Sequence, residues 1–222
     1  MASSGIVSEP ATPRTYDIRE GDSRRDLFYL RWQLEHYFGT DCETPEQLLH
    51  HLAIVMGWID EDEQTPLAVS TPVAEHTGVH IGGGIATIED HESTVETLPD
   101  GGFDAGALAG ERSAWLWFGV VDPAWRGHGI GRDLFRYRLS WAQAQGADMV
   151  FGIGWERDGP GSRPLFDGFG FVPVQRFEDY YVREGERSSC PDCGVWEGDD
   201  CQCQCAGTLW ALDGGDIGGR KA

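Results

Sequence analysis

Lysine is almost absent: of 17 basic residues only Lys221 is a lysine, and 37 acidic residues leave a formal net charge of -20. A surface this negative repels phosphate backbones, so general binding of DNA or RNA is disfavoured. A Walker loop needs Gly-Lys-Ser or Gly-Lys-Thr, and no lysine precedes Lys221, so that nucleotide class is excluded. Long apolar runs are missing as well. None approaches the roughly 18 residues of a membrane span, and Met1 to Pro10 lacks the apolar core of a signal peptide. The expectation is a cytoplasmic chain with no membrane partner.

What is present is a folding composition, with 40% apolar residues and 9 Trp in 222 residues. That length suits one domain with a small appendage. Residues 1–13, small and broken by prolines, are expected as a flexible leader. Residues 14–186 form the domain, and 187–222 a cysteine-rich tail. The acid is spread along the whole chain, a pattern that resembles proteins of extreme halophiles. At molar salt the Debye length is about 3 Å, so the charge points to habitat more than to substrate steering.

Tyr16 to Arg19 alternates as a short strand. Asp22 or Ser23 can cap a helix with Leu27, Leu30, Leu34 and Tyr37 at helical spacing, and Thr44-Pro45 starts a second helix. Leu67 to Val73 and Val79 to Ile88 read as an antiparallel pair across the turn His76 to Gly78. Glu89 to Arg112, acidic and without periodicity, reads as a long loop. Ala114 to Val121 is a central strand buried on both faces. From Gly129 to Gln145 the residues Ile130, Leu134, Tyr137 and Trp141 mark a helix face. Strand Met149 to Trp155, helix Arg163 to Gly168, and strands Phe169 to Val174 and Phe177 to Val182 follow. The order implies an α/β domain with a mixed sheet flanked by helices.

The segment from Val120 to Gly131 carries the chemistry. It runs from a buried strand through Arg126-Gly127-His128-Gly129-Ile130-Gly131 into a helix. Glycines let backbone approach a bulky anion, and the first free N–H groups of the helix point at it. Arg126 adds a charge that can fork onto phosphate. A dinucleotide fingerprint would need glycine where Arg132 stands. The string resembles the Arg/Gln-x-x-Gly-x-Gly/Ala signature of the GNAT superfamily of N-acetyltransferases. Val121-Asp122-Pro123 before it and Phe166-Asp167-Gly168-Phe169-Gly170-Phe171 after it match that family too.

The resemblance implies a mostly antiparallel acyl-CoA N-acyltransferase fold, with acetyl-CoA as co-substrate and an amine as acceptor. It also implies that Arg126, Gly127, His128, Gly129, Ile130 and Gly131 hold the pyrophosphate while Phe118, Val120 and Val121 line the pantetheine arm. Phe166 falls in the cofactor site where the family often has a tyrosine, and it has no proton to give. The acid role could pass to Tyr180, Tyr181 or a water, or the thiolate could leave unassisted. For the base, Glu156 at a strand end is the first choice, ahead of Glu89 and Asp90.

Five of the six cysteines lie between Cys190 and Cys205. Cys190-Pro191-Asp192-Cys193 resembles a zinc knuckle, and with Cys201, Cys203 and Cys205 it offers thiolates for a structural zinc ion in a zinc-ribbon-like tail. Cys201 with Cys203, or Cys203 with Cys205, would complete four ligands. Such a tail would pin the C-terminus or dock a protein partner. A CoA-binding module without catalysis, its zinc tail recruiting a partner, is the alternative to an enzyme.

Overall fold

A computed structural model describes residues 15–38, 66–156, 161–178, 180 and 206–217. Its elements are β1 (Asp17–Arg19), α1 (Arg24–Phe38), β2 (Ala68–Ser70), β3 (Val73–His76), β4 (Val79–Asp90), α2 (His91–Thr97) and α3 (Ala105–Leu108). They continue with β5 (Arg112–Val121), α4 (Ile130–Ala144), β6 (Met149–Glu156), α5 (Arg163–Phe169), β7 (Val172–Phe177) and β8 (Ala206–Asp213). The strands form one sheet in the order β1-β3-β4-β5-β6-β8-β7, with β2 also on β4. Among the described strands only β5 and β6 pair in parallel. The mixed, mostly antiparallel sheet is therefore present. Among the described residues no helix is long and apolar enough to cross a membrane.

Helices cover both faces. On one, Leu27, Leu30 and Leu34 of α1 bury against Val73, Ile85, Phe118 and Val120, and Leu98 packs with Trp115, Phe151 and Leu209. On the other, Phe135 and Leu139 of α4 meet Phe166 of α5 over Ala114, Leu116 and Val150.

Ser23 and Asp26 close α1 by a reciprocal cap: the Asp26 amide donates to Ser23 Oγ at 3.3 Å, and the Ser23 amide donates to Asp26 Oδ2 at 3.1 Å. Asp26 is fully buried and also accepts from Arg19 Nη2 at 2.9 Å and lies 2.6 Å from His80 Nε2. Arg19 bridges on to Glu75 at 2.9 Å. Asp26, Glu75 and His80 are close enough to share a metal ion, but Arg19 already supplies a cation to both carboxylates.

Three expectations change. The expected loop from Glu89 to Arg112 contains α2 and α3, each started by an aspartate: Asp90 accepts from the Ser93 amide and Asp104 from the Ala107 amide. Helices this short are set by their caps and show no periodicity. The expected strand from Leu67 to Val73 is split between β2 and β3 around Pro72, which has no N–H for a ladder. The end of the domain also moves. The strand expected from Phe169 to Val174 runs instead from Val172 to Phe177. Of the strand expected from Phe177 to Val182, residues 179, 181 and 182 lie outside the described residues, and the last described strand is β8, inside the segment expected as a separate tail. Its Leu209, Trp210, Ala211 and Leu212 are buried between β6 and β7. The leader, the second helix and all six cysteines lie outside the described residues.

Burial pushes the Asp26 carboxyl upward, but hydrogen bonds from Arg19, His80 and Ser23 outweigh it and hold it well below the usual carboxylate range. A depressed carboxyl contributes stability above its unfolded value and loses it as pH falls. Asp26→Asn is expected to lower stability at pH 7 by about 2–3 kcal/mol, the partly exposed Arg19 moderating the loss. Urea unfolding at pH 7 and pH 3 checks this: the gap between wild type and variant should narrow in acid.

Candidate functional site

The site begins with a fault in the ladder between β4 and β5. Ile85 faces Phe118 while Thr87 faces Trp115, so three steps on β5 match two on β4. This bulge reverses the side-chain alternation: Trp115 packs on the α2 face, and Phe118 and Val120 then return to the α1 side of the same sheet face. It also ends the parallel pairing. β5 and β6 are in register only from Ser113 to Trp115 and from Met149 to Phe151. Beyond those residues β5 continues to Val121 on β4, and β6 continues to Glu156 on β8, leaving a gap between them.

Backbone alternation shows what faces the gap. The Gly84 amide donates to Pro72 O at 2.9 Å, and the Asp122 amide to Ile81 O at 2.9 Å. Phe118 and Val120 therefore direct their backbone groups to β4, and Gly119 and Val121 direct theirs to the edge that β6 has left. At the end of β5, Asp122 accepts from the Ala124 amide and turns the chain through a 3-10 turn, Pro123–Trp125.

Gly127 and Gly129 then adopt φ of 77° and 87°, the left-handed region that favours glycine. Gly129 caps α4, whose first intrahelical bond is Asp133 N–H to Gly129 O at 3.1 Å. The amides of Ile130, Gly131 and Arg132 precede that ladder, so the positive end of the helix dipole opens beside the gap. Arg126 is exposed and its Nε donates to Val121 O at 3.1 Å, which ties the loop to the strand end. His128 Nδ1 lies 2.9 Å from Arg126 O. A carbonyl only accepts, so Nδ1 carries the proton and the ring braces the loop. Gly119, Val121 and residues 126–131 thus border the gap, whereas Phe118 and Val120 turn their backbone groups to β4 and bury their side chains against α1.

Phe166 is 4% exposed, stacked on Trp210 at 5.4 Å and edge-on to Phe135 and Phe171. It is a core residue behind β6, fitted against Gly152, where a Cβ would stand 2.9 Å from its ring. Glu156 and Tyr180 come to the same end of the sheet: Glu156 pairs with Ala206, and Tyr180 packs over Gly207. Glu156 is engaged, however, accepting from Thr208 Oγ1 at 2.7 Å and Arg176 Nε at 2.8 Å. Burial raises its pKa, but these hydrogen bonds and the Arg176 charge prevail and lower it. A carboxylate so stabilised is a weak base.

Glu89 is the better-tuned carboxyl. It is 8% exposed, with Thr87 Oγ1 at 3.2 Å and Thr97 Oγ1 at 3.1 Å as donors. Burial pushes its pKa up to about 7, the threonine hydrogen bonds opposing only in part. Trp117, on the bulge, donates Nε1–H to Thr87 Oγ1 at 2.8 Å, so a hydrogen-bonded chain joins the bulge to this carboxyl. In the sequence Glu89 is one acid among many; a threonine two residues before it was its only local sign.

A helix N-terminus thus lies beside a strand edge opened by a bulge, an arrangement that can take an anion with an extended arm. The chain matches the model of the acetyltransferase (GNAT) family over residues 26–171, well over half its length, and belongs to that family. No curated protein matches it in sequence. Solved structures share the fold at low identity. NAA60 from Arabidopsis thaliana, in complex with acetyl-CoA, has a TM-score of 0.57 and 13% identity, covering 90% of this chain and 99% of its own. The polyamine N-acetyltransferase of Drosophila melanogaster has the same TM-score and identity over 90% and 100%. A mosquito arylalkylamine N-acetyltransferase like 5b gives 0.56 and 16% over 90% and 100%.

Proposed function

We propose that this chain transfers an acetyl group from acetyl-CoA to a primary amine of a small molecule or a protein. The observation that carries the reading is the continuity of the left-handed Gly127 to Gly129 turn, the start of α4 and the outward edge at Gly119 and Val121. Pyrophosphate would sit on the amides of residues 126–131 with Arg126 beside it, and the pantetheine arm would pair with the edge of β5 from Phe118 to Val121. Acetyl-CoA supplies the activated thioester. NAA60 and the Drosophila enzyme, one solved with acetyl-CoA and the other named for polyamines, are consistent with this cofactor and an amine acceptor.

Glu89 serves as the base in place of Glu156. Its carboxyl is poised near neutrality, where a group can both take and release a proton. The five cysteines from Cys190 to Cys205 fall in the connection between β7 and β8, and they offer the soft donor set of a structural zinc ion. A bound zinc would close that connection and take no part in the transfer. Metal analysis of purified protein should return one zinc per chain.

Calorimetry with acetyl-CoA in high salt tests the cofactor. Wild type is expected to bind, and Gly129→Glu, which strains a left-handed position and sets a carboxylate at the phosphate seat, to bind at least about tenfold more weakly. Equal binding by both folded proteins removes the proposed seat.

For Glu89, thiol release against an amine panel should rise with pH through about 7 as the carboxyl loses its proton. Glu89→Gln should lower the rate by about 100-fold and flatten that rise. The stability sign is opposite. A raised carboxyl stabilises while protonated and loses that contribution as pH rises through its folded value. The glutamine variant should therefore unfold no earlier than wild type at pH 8, which separates lost chemistry from lost folding.

A further inference from the structure

The apolar face of α4 contains a cation. Leu134, Phe135, Leu139 and Ala142 are buried there as expected of a helix against a sheet, and Arg138 is buried among them at 4% exposure. Its position, four residues after Leu134 and four before Ala142, belongs to an aliphatic side chain on any amphipathic pattern. Among the described residues no carboxylate pairs with it. Its guanidinium instead meets backbone oxygens: Nη1 donates to Phe118 O at 2.6 Å and, more weakly, to Ile85 O at 3.4 Å, while Nε reaches Leu134 O at 3.4 Å. The face of Phe135 lies 5.5 Å from its Cζ.

Space for the guanidinium comes from two glycines. Gly84 and Gly119 are register partners across β4 and β5. A Cβ on Gly119 would stand 2.8 Å from Nη2, and one on Gly84 3.1 Å from Nε. The molecule thus removes two side chains beside the bulge and places a charge in the space. Burying a cation without a counter-ion is costly even when backbone oxygens receive it, so a purely packing role is an expensive solution where leucine would serve. Burial lowers its pKa to about 10, which leaves it charged at neutral pH.

The carbonyl that Arg138 holds belongs to the peptide whose other end is the Gly119 N–H. That N–H faces the gap, because the backbone groups of Phe118 point to β4 and those of Gly119 point away from it. A peptide whose oxygen accepts a charged hydrogen bond becomes a stronger donor at its nitrogen.

Resting on the acyl-transfer reading, in which a backbone N–H of this strand polarises the thioester carbonyl, we propose that Arg138 is a positioning and polarising residue that acts through the Phe118–Gly119 peptide to strengthen the Gly119 N–H as that donor. The amine nitrogen bonds to the thioester carbon and the carbonyl π pair moves to oxygen, which accepts from Gly119 N–H. The surplus amine proton passes through water to the Glu89 carboxylate, whose register partner Ser113 lies on the part of β5 still paired with β6. The oxygen pair then re-forms the carbonyl, the C–S bond breaks, and CoA leaves as thiolate with its electron pair. Arg138 touches none of the reacting atoms. The bulge, the paired glycines and the cation are on this account parts of one device.

The test needs no knowledge of the acceptor. Acetyl-CoA labelled with 13C at the thioester carbonyl is bound to wild type, Arg138→Met and Arg138→Gln, and the carbonyl stretch is read by isotope-edited infrared spectroscopy beside calorimetric affinity. In wild type the stretch should shift to lower frequency than in free acetyl-CoA. Arg138→Met should bind with affinity within about threefold, since the phosphate seat is untouched, yet lose at least half of that shift. Arg138→Gln, which keeps a neutral donor for the Phe118 carbonyl, should show an intermediate shift, and it carries the test if the methionine variant does not fold.

A full wild-type shift in either folded variant overturns the proposal, as does a wild-type complex with no shift. Failure of wild type to bind acetyl-CoA at all is a different result, since it removes the acyl-transfer reading on which the proposal stands. With an acceptor in hand, Arg138→Met should lower kcat about tenfold with little change in KM for acetyl-CoA.

Discussion

The bulge in β5 is the constraint on which the site depends. One additional residue between Trp115 and Phe118 turns the strand out of phase with β4, and from that point β5 and β6 no longer share hydrogen bonds. In a sheet whose other long strands remain paired, the bulge leaves unpaired backbone at a chosen place without dismantling the core beneath it. The two faces hold it open differently. α1 fills one side with leucines, whereas α4 lies under the other with its N-terminus at the mouth of the gap.

Charge is distributed in keeping with that geometry. The chain as a whole is strongly acidic, yet the mouth of the gap is formed by a helix N-terminus with Arg126 at its entrance and Arg132 in its first turn. The acid in that first turn, Asp133, is held by Tyr16 and Arg136, which leaves the free helix amides facing the gap. The acids near the site are held in contrasting environments. Glu156 is fixed as a carboxylate by Arg176 and Thr208, while Glu89 is surrounded by neutral donors and apolar side chains.

The phosphate turn was legible in the sequence because glycine spacing reports backbone geometry directly, and Gly127 and Gly129 do occupy left-handed positions. Helices α1 and α4 and strands β4, β5 and β6 were legible for a similar reason, since they are long enough for their periodicity to show. Three things were hidden. α2 and α3 depend on Asp90 and Asp104 caps that look like ordinary acids in an acidic loop. The sequence spacing Ile130, Leu134, Tyr137 and Trp141 follows only part of the buried face of α4: Ile130 and Leu134 are buried and Trp141 packs against the core, but Phe135, Arg138 and Leu139 complete the stripe, and its arginine masked it. Glu89 and Glu156 differ only in their three-dimensional neighbours, which no local pattern records. That residues 206–213 belong to the sheet was not legible, because the cysteines stand directly before them and draw the segment into one cysteine-rich stretch.

That strand has a consequence for how the molecule comes apart. β7 hydrogen-bonds only to β8 among the described strands, and β8 alone covers the outer edge of β6. If β8 withdraws, β7 loses its ladder and β6 becomes an open edge next to the gap, bare on both sides beyond Phe151. Such a segment is a template for pairing with other chains. β8 also has to be brought back across the whole connection over residues 178–205, a closure whose entropy a fixed crosslink within that connection would reduce. Local opening and self-association are therefore linked through a single strand, and whatever shortens the effective length of its tether protects the chain from aggregation as well as from unfolding.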